Sequence, residues 1–539
     1  MMSGGGGGGG GEEDLPQPLL SKPYLPQSDE PTTSNYGSEP EYPQITFNHG
    51  PRPFKDLPFL LLFALLSLST FAFGLFSVFH HNPHRDPSSF SFDPSSSSCA
   101  PLRSHSPNRI LESQPSALWK DLIWTLVITL ALSAPIALFL LWLLRRHAKQ
   151  VVYGCLPFFV LAPAFFNVYW FVACTMNSKC SASFALAYRI VVLVFVFVLI
   201  GIIGWIIVAN WHRIELTIRI IGVAGEALAR NLGLFGVLPL MTLGLLVYFA
   251  PVVVFMVYAR MNGRVVPRMG SSGLYNCVWK QDKWVSAYFA LAILTMLWSA
   301  AAMVEAKVYV ISGTIAQWYF SKEESRPGRS IRSSLRHAFG PSFGTVCFSG
   351  LIMAAVRLVR AAVDSAKRED GTPGIVTLIL RCCVNFCMSA IDFLNKFTIN
   401  FAAITGESYC YSAMMSYELL KRNLLSPVFV ETVSTRILIG IIFVLSAVYA
   451  IVVCAVLKAV TALGVDAYFV AALAWALLIL ILGFFVHVMD NVIDTIYVCY
   501  AIDRDKGEVC KHEVHEVYVC LPISRGDRPS IATRTPLSV

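Results

Sequence analysis

Long uncharged apolar runs alternate with short polar segments along most of the chain. Lipid admits only backbones that satisfy their own hydrogen bonds, so such runs predict helices that cross a bilayer. Ten stand out: Leu57–Phe79, Leu122–Leu144, Val151–Ala173, Ile190–Val208, Leu234–Tyr258, Val285–Phe320, Ala338–Val356, Gly374–Ile404, Ile437–Val460 and Tyr468–Val488. Two of them are irregular. As one helix Val285–Phe320 would measure about 54 Å, against a hydrocarbon core of about 30 Å. It must tilt, break or extend beyond the bilayer, and Gly313 is the candidate break. Gly374–Ile404 carries Arg381, Asp392 and Lys396. So many charges belong inside the bundle or at the interface, and with Ala338–Val356 the segment also fits a re-entrant pair. The expected fold is an all-α integral membrane protein, a polytopic helical bundle of about ten transmembrane helices.

Polar segments complete the layout. Residues 1–56 combine a Gly run with Pro, Ser and acidic residues, and predict a disordered cytoplasmic tail. The transmembrane transporter domain is expected over 57–500, opening on an uncleaved signal anchor and carrying an exoplasmic loop at 80–121. Residues 501–539 form the expected cytoplasmic C-terminal tail. Orientation rests on Arg145, Arg146 and Lys149 after the second run and on Lys322, Arg326, Arg329, Arg332 and Arg336 after the sixth. Both clusters are cytoplasmic if the N-terminus is. Arg260, Arg264, Arg268, Lys280 and Lys283 would then lie outside, against the trend. Arg213 to Arg230 and Ser412 to Val428 are amphipathic and read as helices lying on the inner leaflet.

Composition supports this picture and excludes others. Of 539 residues 55% are hydrophobic and only 14% charged, with a mean hydropathy of +0.60. A soluble domain carries roughly a quarter charged residues. The net charge of +8 is therefore an orientation signal, and no nucleic-acid partner is expected.

Fourteen cysteines sort by side. The layout puts Cys99, Cys174, Cys180 and Cys277 in an oxidising compartment, as disulfide candidates with the pairing open. Cys382, Cys383 and Cys387 have no His or further Cys at zinc spacing, so no metal and no cofactor is expected; reversible palmitoylation is the better reading.

Three stretches carry a resemblance. VYVISGTIAQWYF (308–320) resembles the choline transporter-like pattern of an apolar stretch, a small residue with Gly, further small residues and a final aromatic cluster. DFLNKFTINFAAITGESYCYSAMMSYELLKRN (392–423) is similar to that family's Phe-Leu-Asn-basic segment with its Ala-Ile-x-Gly, aromatic-Cys, Ser-Ala and Leu-basic-Asn elements. VIDTIYVCYAIDRDKGE (492–508) resembles its Val-Asp-Thr and aromatic-x-Cys-aromatic ending. The first exoplasmic loop is short and lacks an N-x-S/T sequon, closer to the plant and fungal branch than to animal members. The resemblance implies a solute carrier for choline or a related ammonium alcohol, in the plasma membrane or a trans-Golgi or endosomal membrane, with a small cationic substrate and membrane lipids as partners.

A fixed cation needs aromatic faces and a nearby carboxylate. Trp298, Glu305 and Tyr309 share one helical face of the sixth run, with Trp318 and Tyr319 at its inner end. Packing and the interfacial aromatic belt are the alternative for these rings. His487, Asp490, Asn491 and Asp494 line one face of the tenth run, either coupling transport to an ion or marking the cytoplasmic boundary. Asp494 falls in the Val-Asp-Thr element, and a substrate site between the sixth and tenth runs joins it to Glu305 and Trp298. Arg189 and Asn395 are further candidates. Two other functions stay open: an endomembrane trafficking or scaffold protein, from Tyr42-Pro43-Gln44-Ile45 and Leu19-Leu20, and a lipid head-group enzyme, for which no metal or phosphate motif is present.

Overall fold

A computed structural model describes residues 47, 50–82, 90–93, 98–101, 117–177, 180, 183–269, 275–321, 330–369, 375–423, 425–461, 464–507 and 509–519. The two sorting patterns, Lys322, Arg326 and Arg329, and most of both expected tails lie outside these residues. The elements run α1 (Leu57–Phe79), β1 (Phe90–Asp93), β2 (Ser98–Pro101), α2 (Ala117–Met176), α3 (Leu186–Ala209), α4 (Trp211–Ala229), α5 (Leu234–Ala259), β3 (Gly263–Met269), β4 (Tyr275–Gln281), α6 (Lys283–Phe320), α7 (Ser330–Ala338), α8 (Phe343–Glu369), α9 (Ile375–Thr405), α10 (Tyr409–Asn423), α11 (Leu425–Val460), α12 (Asp466–Lys506) and α13 (His512–Tyr518). Among the described residues eight helices are long and apolar enough to cross a membrane. The chain is an all-α polytopic membrane protein.

The second and third apolar runs join into α2, broken only by non-helical backbone at His147. The break is a reversal, as their packing on α11 shows. Thr129 meets Tyr449 at 2.9 Å, and Phe159 lies 3.0 Å from where a Cβ on Gly440 would stand. The two α11 positions are about 14 Å apart along their helix, whereas 129 and 159 would be about 45 Å apart in a straight one. The halves 117–146 and 148–176 therefore run antiparallel as two crossings.

α6 is continuous, so the candidate break at Gly313 is not one. The glycine instead admits α7: a Cβ there would stand 2.9 Å from Ser334 Oγ. Of the three ways to accommodate its length, α6 takes extension. Residues 308–316 are buried in protein on every side, while Phe289, Leu294 and other positions of the first half contact the surface. α12 does the same, with 488–503 buried throughout. Ser312 meets Thr495 at 3.1 Å and Tyr319 meets Asp503 at 2.8 Å, so the two long helices run parallel and share a covered end.

α4 departs from the expectation of a helix resting on lipid. Its apolar face, with Ile220, Ile221, Ala224, Ala227 and Leu228, is wholly buried in the protein core. Arg145 pairs with Glu226 and Lys149 with Glu215, tying the turn of α2 to α4. The basic cluster after the second run is thus an inter-helix clamp.

At the opposite end β1–β2 and β3–β4 form two antiparallel hairpins. Cys99 pairs with Cys277, joining the hairpins, and Cys174 pairs with Cys180. α1 and α5 end together there, since Asn82 N–H donates to Met261 C=O at 3.0 Å and Asn262 Nδ2 to Ser77 C=O at 2.9 Å. α4, α7, α10 and α13 cover the other end, with the long ends of α6 and α12.

Candidate functional site

Close packing of α6 on α8 begins with Gly350. A Cβ there would lie 2.6 Å from Ala302 Cα, so only glycine lets the backbones approach this far. The approach brings Glu305 to Ser349: Glu305 Oε2 lies 3.1 Å from Ser349 Oγ and 3.1 Å from Asn395 Nδ2, which donates to it from α9. Tyr409, opening α10, donates its hydroxyl to Asn395 Oδ1 at 2.8 Å. The Ser349 hydroxyl is also 2.8 Å from that oxygen, and its one proton serves either acceptor. Glu305 is 5% exposed, and among the described residues no Lys or Arg nitrogen comes within ion-pairing distance of it. A buried carboxyl held only by neutral donors is costly unless a cation visits it.

The neighbouring residue on α9 points elsewhere. Lys396 Nζ is 2.9 Å from Asp490 Oδ2 and pairs also with Asp494. Thr435 donates to the other Asp490 oxygen at 2.5 Å. Consecutive residues of a helix diverge by about 100°, so Asn395 serves α6 and α8 while Lys396 serves α12. His487 is on the exposed side, its ring nitrogen 3.4 Å from Asn491 Nδ2.

A third cluster closes the space toward α7. Arg52 Nη1 donates to Tyr309 Oη at 2.5 Å, and Nη2 to the Ala403 carbonyl at 2.9 Å; Tyr309 donates in turn to Ser342 Oγ at 2.7 Å. Asp56 accepts from Thr345 Oγ1 at 2.7 Å and from Tyr409 N at 2.8 Å, and Lys55 pairs with Glu407 at 3.0 Å. Residues 52–56 form a strap across the ends of α8 and α9.

The candidates from sequence separate into these clusters. Trp298 is buried, its Nε1 donating to Cys347 C=O at 2.9 Å and its ring 5.3 Å from Phe63 in a T-shaped contact. Tyr309 belongs to the strap. Tyr319 donates to Asp503, and Trp318 lies 5.9 Å from Lys511 Nζ. Trp298 and Tyr319 are about 31 Å apart along α6, too far for one small substrate. Arg189 is buried and donates to Thr175 Oγ1 at 3.0 Å, beside the Cys174–Cys180 bond. Ser349, Tyr409, Lys396 and Arg52 went unassigned. Lys396 alone had a signal, a charge beside Asn395 in the Phe-Leu-Asn-basic element.

A polytopic helical bundle with charged groups paired inside it has the build of a membrane transporter. Residues 194–505, more than half of the chain, match the family described as plasma-membrane choline transporter. The chain belongs to the choline transporter-like family. It is 24% identical over 242 residues to a CTL-like protein of Dictyostelium discoideum, covering 42% of this chain and 43% of that one. Choline transporter-like 2 of Anopheles gambiae is 26% identical over 242 residues, 42% of this chain and 29% of that one. Choline transporter-like protein 3 of Bos taurus is 23% identical over 358 residues, 62% of this chain and 50% of that one. The chain thus spans half or less of the length of these curated relatives.

Proposed function

We propose that the chain carries choline or a related small ammonium alcohol across a membrane, with Glu305 as the counter-charge for the substrate cation. Family membership supports a transporter-type role and a small cationic substrate, and favours a carrier over an enzyme. The observation that carries the assignment of Glu305 is its setting: a buried carboxyl on α6 whose partners Ser349 and Asn395 are both neutral. Asp490 and Asp494 already face Lys396. A quaternary ammonium keeps its charge in low dielectric, so it needs an acid that internal cations have left free.

Trp298 remains the proposed aromatic face. It stands seven residues from Glu305, about 10 Å along the helix and on the same face. Asp490, Asp494 and Lys396 are the proposed coupling group, and His487 borders it. The proposed location is the plasma membrane or a trans-Golgi or endosomal membrane, with the α7 face cytoplasmic.

Uptake of labelled choline into proteoliposomes containing the full chain tests this reading. Saturable uptake, competed by other small quaternary ammonium alcohols and not by neutral polyols, is expected. No uptake above protein-free liposomes, with or without a proton gradient, would remove the carrier assignment.

A further inference from the structure

A second feature opens at the covered end of the bundle, away from Glu305. A groove of about 1270 Å³ lies between α5, α6, α7 and the strap. Its rim is basic, formed by Arg52, Arg332, Arg336 and His337, and among the described residues no acid lines it. Its wall is apolar, formed by Val237, Leu240 and Met241 of α5 with Met303 and Phe339. Such a rim repels a substrate cation, so the groove is no vestibule for choline.

Among the described residues these cations have no carboxylate partners. Arg332 and Arg336, one turn apart on α7, make no ion pair among the described residues. Arg52 is 9% exposed, yet its hydrogen-bond acceptors are a phenol and two carbonyls, and its buried Nε has no acceptor. A guanidinium with no carboxylate partner among the described residues favours an anion beside it. The wall decides which anion. Leu240 is 64% exposed on α5, a helix long and apolar enough to cross a membrane, and lies six residues from its start, about 9 Å along it. Beside it nothing lies within 4 Å of a Cβ position on Gly244. The groove is basic at the level of head groups and runs into space at the level of acyl chains.

We propose that this groove binds one anionic phospholipid from the leaflet at the α7 end, its phosphate against Arg332, Arg336 and Arg52 and an acyl chain along α5 at Gly244. The lipid sets a negative charge beside Arg52, which donates to Tyr309.

The test is equilibrium binding of fluorescent phosphatidylinositol 4-phosphate to the full chain in phosphatidylcholine nanodiscs. Saturable binding at about one lipid per chain, competed by unlabelled anionic phospholipid, is expected. The double variant Arg332→Gln/Arg336→Gln should weaken it by about thirtyfold, and Arg332→Lys/Arg336→Lys by roughly threefold or less. Both residues are exposed, so the fold survives, as an unchanged melting temperature will show. Gly244→Phe, which fills the acyl path without touching the arginines, should also weaken lipid binding. Lys506→Gln, an exposed basic residue outside the groove, should not. Unchanged binding in the Gln pair, or no preference over phosphatidylcholine, would overturn the proposal. So would equal competition by inorganic phosphate, which would make the ligand a soluble anion.

Discussion

Lys396 shows how much a single buried charge decides. It meets Asp490 and Asp494 together, and removing it takes the countercharge from two buried carboxylates. Lys396→Met should lower stability by about 3–5 kcal/mol, the usual cost of breaking a buried pair from one side. Lys396→Met with Asp490→Asn and Asp494→Asn should recover much of that loss, because no unpaired charge remains. Thermal unfolding in detergent reads both. Glu226 is the counterpart outside the crossings. Burial raises its pKa, but hydrogen bonds from Arg230 and Arg145 prevail and hold it below the ordinary value. A depressed carboxyl contributes stability that is full above its unfolded pKa and is lost as pH falls through its folded one. Glu226→Gln should therefore cost about 1 kcal/mol at neutral pH and less at acid pH, as the wild-type carboxyl takes up its proton. An equal cost at both pH values would show that shape, not charge, matters there.

Helices were legible wherever hydrophobicity alone decides, and much less so where one helix meets another. Nine of the ten apolar runs reappear within helices, because each satisfies its own backbone, and the seventh is broken by a turn after Ala338 and resumes at Phe343. The reversal at His147, the burial of α4 and the role of Gly313 each depend on a partner distant in sequence. The site divides in the same way. Glu305 stood out as an acid within an apolar run and Asp490 as one just past the end of another. Ser349 and Tyr409 are ordinary residues until Gly350 seats α8 on α6. Gly350→Leu should push those helices apart, carry Ser349 away from Glu305 and abolish choline uptake. Gly483→Ala, with nothing within 4 Å of its Cβ position, should leave uptake intact. Uptake retained in Gly350→Leu would mean that the Ser349 contact has no part in transport.

At the scale of the molecule the two ends are chemically distinct. Both disulfides lie at one end and the strap, α7 and the extended ends of α6 and α12 at the other. Disulfides persist on the oxidising side, which supports the proposed exoplasmic placement of the hairpin end. The basic segment with Arg260, Arg264, Arg268 and Lys280, which spoiled the charge rule, lies on or beside those cross-linked hairpins. Its structure accounts for its place where the count of charges does not. In the variant Cys99→Ser, a membrane-impermeant maleimide should label the freed Cys277 in intact cells. The exposed Cys510 should be labelled only after permeabilisation. Labelling of Cys510 in intact cells would invert the arrangement.

Glu305 is where these scales meet: a buried acid with no ion-pair partner among the described residues, seated by a glycine contact, inside a bundle with two unlike ends. The most direct measurement is choline uptake by proteoliposomes of wild type, Glu305→Gln and Glu513→Gln, matched for protein content and melting temperature. Glu513 is an exposed acid on α13 and should transport as wild type. Glu305→Gln keeps the shape and hydrogen bonds of the side chain while deleting its charge. It should lose at least about tenfold in apparent choline affinity, the scale of one desolvated countercharge. Wild-type affinity and rate in Glu305→Gln would contradict the assignment and move the cation site elsewhere in the bundle.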